Sequence, residues 1–168
     1  FRSNNSVSGG VIKMSQHFDF IPTLLSGLYS INRKPIKDQR GFFNRLFCAE
    51  EIAEIGLKRP IVQINHTMTR KKGAIRGLHF QNIPYTETKI VTCIKGKVFD
   101  VAVDIRKNSP TFLQWHAEEL SEDNHVSLYI PDGFAHGFQA LTNDCELLYM
   151  HSEFYQSDAE GALNVLDP

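Results

Sequence analysis

Cysteine occurs three times in these 168 residues and tryptophan once. Cys48, Cys93 and Cys145 are scattered, odd in number, and form no C-x-x-C. That spacing excludes a disulfide framework and a thiolate zinc site, and it fits a reducing, cytoplasmic setting. An excess of either charge is missing too. Eighteen Lys and Arg stand against nineteen Asp and Glu, for a net charge of −1. A field that weak gathers neither nucleic acid nor an anionic membrane surface. No apolar run reaches the roughly 18 residues that a transmembrane helix needs. The opening "FRSNNSVSGG" is polar and has no apolar signal-peptide core. The first methionine is Met14, so residues 1–14 are expected to be a tail, with residues 15–168 forming one domain. No repeat or low-complexity tract interrupts that domain.

Helix-forming periodicity is equally scarce. One short helix is expected within 48–56, "CAEEIAEIG", where Ile52 and Ile55 lie three apart and Gly56 supplies a stop. Almost everything else reads as strand. "KIVTCI" and "KVFDVAVDI" are β-branched runs on either side of Lys95-Gly96, a hairpin signal. "VSLYI", "GFQAL" and "ELLYMH" follow, punctuated by Pro131-Asp132-Gly133 and Asn143-Asp144. Short strands at regular spacing predict an all-β jelly-roll sandwich or barrel with one or two short helices. Alternation then puts Asp100 and Asp104 on the face of Val98 and Ala102, and Tyr149 and His151 on the face of Cys145 and Leu147. Polar groups on faces that a small barrel buries must be paired or used. A polar-lined lumen accounts for them together. Asp104 also has a plainer use, an ion pair with Arg106.

The stretch 73–81, "GAIRGLHFQ", places Arg76 and His79 on opposite faces by strict alternation. A bend or bulge near Gly77, or a ligand held at the barrel mouth, would bring both to one site. Further on, "YIPDGFAHGFQAL" carries P-x-G-x-x-H-G and resembles the second motif of the cupin superfamily. Metal-binding cupins resemble this chain less well in their first motif, where two histidines and a glutamate are usual. Here Gln81 replaces the second imidazole, and Lys89 stands where a carboxylate would serve. An ammonium has no lone pair for a metal. A metal-free cupin-type jelly-roll barrel is therefore expected.

"DQRGFF", "VQINH", "IRGLHFQ", "KIVTCIKGKVFDVAVDIRKNSPTF", "LYIPDGFAHGFQAL" and "LLYMHSEFY" together resemble the dTDP-4-dehydrorhamnose 3,5-epimerase family over residues 18–168. The resemblance implies an isomerase of deoxysugar biosynthesis acting on a dTDP-4-keto-6-deoxyhexose without cofactor or metal. It implies His79 as the base, Tyr149 as the acid on the opposite face, and Lys89 as the cation that stabilises the enolate. His136 matches a second active-site histidine, and Asp100 is placed to orient an imidazole. Arg76 and Arg40 match nucleotide-sugar-binding positions, with Phe43, Gln63 and Asn65 also on the substrate side. Histidine suits a base because its ordinary pKa is near neutrality, and arginine suits a diphosphate because its donors are planar and paired. A homodimer is implied, with Arg40 or its neighbours directed to the partner's site.

Two departures from the family pattern stand out. Asn44 and Arg45 follow "GFF" where an acidic residue is usual. The family's carboxylate that pairs with the base histidine usually falls beyond Pro168, so that tail is expected to be missing here or replaced by an acid such as Asp100. His17, His66, His116, His125 and His151 are expected to be surface or structural, and Arg70-Lys71-Lys72 to form a solvated turn. Two other readings stay open on the residues alone: a non-catalytic cupin that binds nucleotide sugars, and a metal-dependent cupin oxygenase.

Overall fold

The computed structural model describes residues 12–166. Fourteen strands run in chain order: β1 Lys13–Met14, β2 Phe18–Pro22, β3 Tyr29–Arg33, β4 Ile36–Asp38, β5 Gly41–Phe43, β6 Gln63–Thr69 and β7 Ile75–Gln81, then β8 Lys89–Lys95, β9 Lys97–Asp104, β10 Trp115–Ser121, β11 Val126–Ile130, β12 Phe134–Ala140, β13 Cys145–His151 and β14 Glu160–Ala162. Among the described residues the one α-helix, α1, covers Ala49–Ala53, and a 3-10 turn covers Ser157–Ala159. The expected helix is therefore present but short, ending in a turn at Gly56, whose φ of +109° is glycine's territory. Lys13 and Met14, expected in the tail, pair with β2 instead. The remainder of that tail, residues 1–11, lies outside the described residues.

Two sheets face each other. A seven-stranded sheet runs β1-β2-β3-β11-β8-β13-β6, and a five-stranded sheet runs β10-β9-β12-β7-β14. All pairings are antiparallel. This is the jelly-roll architecture that the strand spacing predicts. The small hairpin β4–β5 stands apart from both sheets, with Ile36, Phe42 and Phe43 about 60 % exposed.

One expected hairpin is not there. β8 pairs with β11 and β13, while β9 pairs with β10 and β12, so β8 and β9 belong to different sheets. Gly96 is the corner at which the chain crosses from one sheet to the other. Its φ is +74°, and a Cβ there would stand 2.5 Å from Thr142 Oγ1.

Strand alternation divides the seven-stranded sheet between two cores. Val91, Cys93, Leu128, Ile130 and Leu147 point at the facing sheet and pack with Val98, Ala102, Leu120, Phe134 and Phe138. Ile90, Tyr129 and Met150 point the other way, onto Phe18, Phe20, Ile31, Ile52 and Ile55. The short helix exists to cover that outer face, which is why Ile52 is wholly buried. Each fully buried Leu, Ile or Phe side chain contributes roughly 1.5–3 kcal/mol. Hydrophobic side chains fill one part of the space between the sheets, and polar ones line the other.

Candidate active site

The polar part is an open cavity of about 540 Å3. β7 and β12 form one wall, and β6, β8 and β13 form the other. Arg76 and His79 enter from β7, His136 from β12, Asn65 and Thr67 from β6, Lys89 from β8, and Tyr149 and His151 from β13. Glu87, Tyr155 and Glu160 complete the rim.

A bulge puts Arg76 and His79 on the same cavity. His79 lies opposite His136, but Arg76 lies opposite Phe138, so three steps on β7 span two on β12. Glycine makes that approach feasible on both strands. A Cβ on Gly77 would stand 2.5 Å from Gly137 Cα, and one on Gly137 would stand 2.5 Å from Arg76 O. The φ of Gly77, +116°, is likewise closed to other residues. Arg76 Nε donates to Thr69 Oγ1 at 2.9 Å, which holds the guanidinium at the cavity's edge.

The two facing histidines have different surroundings. His136 is buried, and its Nε2 lies 2.9 and 3.0 Å from the carboxylate oxygens of the fully buried Asp100. Asp100 therefore orients His136 from behind the cavity wall. It is not placed to serve His79. The His79 side chain is 53 % exposed, and the carboxylate that approaches it is Glu160, with Oε1 3.8 Å from Nδ1. Glu160 in turn accepts from the Tyr155 hydroxyl at 2.9 Å. Tyr149 packs edge-on against His136, with ring centroids 6.0 Å apart. Burial, reinforced by the Asp100 charge, pushes its phenol far above the ordinary tyrosine value, so Tyr149 stays protonated.

Lys89 is held by Glu87, whose Oε1 lies 3.0 Å from Nζ. The other oxygen of Glu87 lies 2.8 Å from His151 Nδ1. Burial works to raise the Glu87 carboxyl, but the His151 and Lys89 contacts outweigh it and lower it overall. His151, expected to be surface or structural, is thus a cavity residue. Its neighbour Tyr149, two positions back on the same strand face, was the available signal. Glu87 is 64 residues away in sequence, so only the fold reveals the pair.

Other expectations hold or shift in detail. Asp104 is fixed by Arg106, Ser109 and Thr111, the structural use that its spacing allowed. Gln81 donates to Tyr85 O and Phe154 O and accepts from Gln156 N–H, tying β7 to the loop after β13. Gln63 spends its carbonyl oxygen on Tyr155 N–H and does not line the cavity, unlike Asn65. Arg40 and Phe43 sit on the β4–β5 hairpin, away from the cavity of their own chain, and Arg40 pairs there with Asp38 at 2.7 Å. His17, His66 and His116 are paired with Glu51, Glu146 and Glu118 outside the cavity.

The chain has close likenesses among known proteins. The family model described as dTDP-4-dehydrorhamnose 3,5-epimerase matches residues 22–168. The chain belongs to that family. The Shigella flexneri dTDP-4-dehydrorhamnose 3,5-epimerase is 44 % identical over 144 residues, 85 % of this chain and 79 % of that protein. Among solved structures, the Legionella pneumophila dTDP-6-deoxy-D-glucose-3,5-epimerase, in complex with dTDP-4-keto-L-rhamnose, superposes with a TM-score of 0.87 at 40 % identity. That match covers 90 % of this chain and 80 % of the other. The Bacillus anthracis dTDP-4-dehydrorhamnose 3,5-epimerase, with TDP and PPi bound, gives 0.86 at 36 % identity, covering 89 % and 86 %. The regular structure of the described residues is almost entirely antiparallel strand. Among the described residues, no helix is long and apolar enough to cross a membrane.

Proposed function

We propose that this member of the epimerase family inverts C3, C5 or both in a dTDP-4-keto-6-deoxyhexose, as a step in deoxysugar nucleotide biosynthesis. The observation that carries this reading is the placement of His79 and Tyr149 on opposing walls of one cavity, with Lys89 in the same cavity. A ketone at C4 acidifies the hydrogens on both neighbouring carbons. His79 takes one of them, the C–H electron pair moves onto the C4 oxygen, and the Lys89 ammonium stabilises the enolate. Tyr149 then gives its proton to the opposite face of the same carbon, and the new C–H bond has inverted geometry. No redox change occurs, and no cofactor or metal is needed. Asp100 keeps His136 in one orientation beside Tyr149. Arg76, at the edge, presents paired donors suited to the diphosphate.

The exposed β4–β5 hairpin supports a homodimer in this reading. Arg40 and Phe43 are on an arm that their own chain leaves uncovered, and a second copy would place them at its partner's cavity for the nucleotide. A dTDP sugar is the expected ligand, with neither nucleic acid nor membrane as a partner, and the cytoplasm is the expected location. The free cysteines Cys48, Cys93 and Cys145 suit that compartment. The test is incubation of chelator-treated protein with dTDP-4-keto-6-deoxyglucose. The expected product is an isomer of unchanged mass, formed at the untreated rate. Recovery of substrate alone, or isomer only after a metal is restored, would overturn the reading.

A further inference from the structure

Inversion at one carbon consumes one proton donor on the face opposite the base. Inversion at both carbons next to a ketone consumes two, at positions separated by the carbonyl carbon. A phenol held at one point, as Tyr149 is, serves one of them unless the sugar ring is moved. β13 supplies a second group. His151 follows Tyr149 by two residues, so both side chains leave the same strand face, about 6.6 Å apart along the strand. Their rings are near-parallel at 20°, with centroids 6.2 Å apart. Both face the cavity from the wall opposite His79.

The surroundings of His151 are those of an oriented acid–base group. Its side chain is 12 % exposed and that of Glu87 is 9 % exposed. Nδ1 is fixed by Glu87 Oε2 at 2.8 Å, and Nε2 lies 3.4 Å from the Nδ2 of the exposed Asn65 amide, a weak contact that a substrate entering the cavity can replace. A carboxylate behind one ring nitrogen fixes which nitrogen carries the transferable proton and steadies the imidazolium. The same carboxylate holds the Lys89 ammonium through its other oxygen, coupling this group to the cation that faces the enolate.

We propose that the Glu87–His151 pair is a second proton donor of this cavity, serving the ring carbon that Tyr149 does not. The protonated Nε2 gives its proton to that carbon. The enolate electron pair forms the C–H bond, the ketone is restored, and neutral imidazole remains for recharging from solvent. This assignment rests on the epimerase reading and adds that both carbons are inverted.

The experiment is turnover of dTDP-4-keto-6-deoxyglucose in D2O, with deuterium and configuration at C3 and C5 read separately by NMR. Wild-type protein should invert and label both carbons. His151→Gln should keep one and lose the other by about 10²-fold or more, the scale of general acid catalysis. Tyr149→Phe should show the complementary loss. Glu87→Gln keeps the hydrogen-bonding shape but loosens Lys89 as well, so both carbons should slow and the one lost in His151→Gln should slow more, which keeps the assignment testable if the His151 variant fails to fold. Equal slowing at both carbons in the His151 and Glu87 variants, or none, would overturn the assignment and leave the epimerase reading intact. So would wild-type inversion at a single carbon. No exchange at either carbon in wild-type protein would instead overturn the epimerase reading.

Discussion

Tyr149 shows most directly how one residue's surroundings dictate its chemistry. Its phenol is largely buried in the cavity wall, near the Asp100 carboxylate, and both features disfavour phenolate. The phenol therefore stays protonated well above neutral pH, where its hydroxyl can donate but not accept a proton from carbon. Tyr149→Phe removes the donor but keeps the ring that packs on His136. Inversion at the carbon it serves should fall by about 10²–10⁴-fold, while His79 continues to exchange that carbon's proton on its own face. An unchanged inversion rate would remove Tyr149 from the acid role. Tyr129, on the opposite face of the sheet, is also raised by burial, to about 12. For a tyrosine whose folded value lies above its unfolded value near 10, the stability contribution is complete below pH 10. It is lost as pH rises through the folded value, because the unfolded chain releases its proton first. The protein should therefore lose stability steeply above pH 10, and Tyr149→Phe should flatten that loss in alkaline melts.

At the scale of the element, the site depends on the bulge between β7 and β12. Gly77→Ala places a methyl group 2.5 Å from the Gly137 backbone, at a φ that alanine rarely adopts. Such strain costs roughly 1–3 kcal/mol before any shift of the strands. The expected result is a lower melting temperature together with loss of both sugar binding and turnover, because Arg76 and His79 flank the bulge. Normal binding in this variant would mean that the bulge does not set their positions. This element was legible in the sequence. Arg76 and His79 conflict with alternation, and Gly77 between them marks the place where the conflict is resolved. The strands and the polar lumen were legible for a similar reason, since β-branched runs and buried aspartates follow period 2. Lys95-Gly96 was not. A strand, a glycine and a second strand read alike whether the two strands pair or cross to the facing sheet, and here the chain crosses. The Glu87–His151 contact and the alliance of Asp100 with His136 are set by strand pairing across 64 and 36 residues, which local pattern does not carry.

For the whole molecule, assembly turns on the β4–β5 hairpin. Its Phe42 and Phe43 expose apolar surface that a second copy would cover, and Arg40 is 84 % exposed beside Asp38. Sedimentation at micromolar concentration should show a dimer. If the partner's arm completes each cavity, Arg40→Ala should weaken nucleotide-sugar binding while leaving the dimer and the fold unchanged. Mixed dimers of Arg40→Ala and His79→Ala subunits should regain up to half of the wild-type sites in the heterodimer, since one cavity there receives an intact arm and an intact base. A fully active monomer would contradict this arrangement.

In the proposed reaction one cavity, with His79 on one wall, transfers protons at carbons next to a ketone. The most direct measurement is the deuterium content of dTDP-4-keto-6-deoxyglucose after incubation in D2O with wild-type protein and with His79→Ala. The account predicts solvent deuterium at a ring carbon next to the ketone in the first sample and none above background in the second. Equal labelling by the two proteins, or no labelling by either, would contradict it.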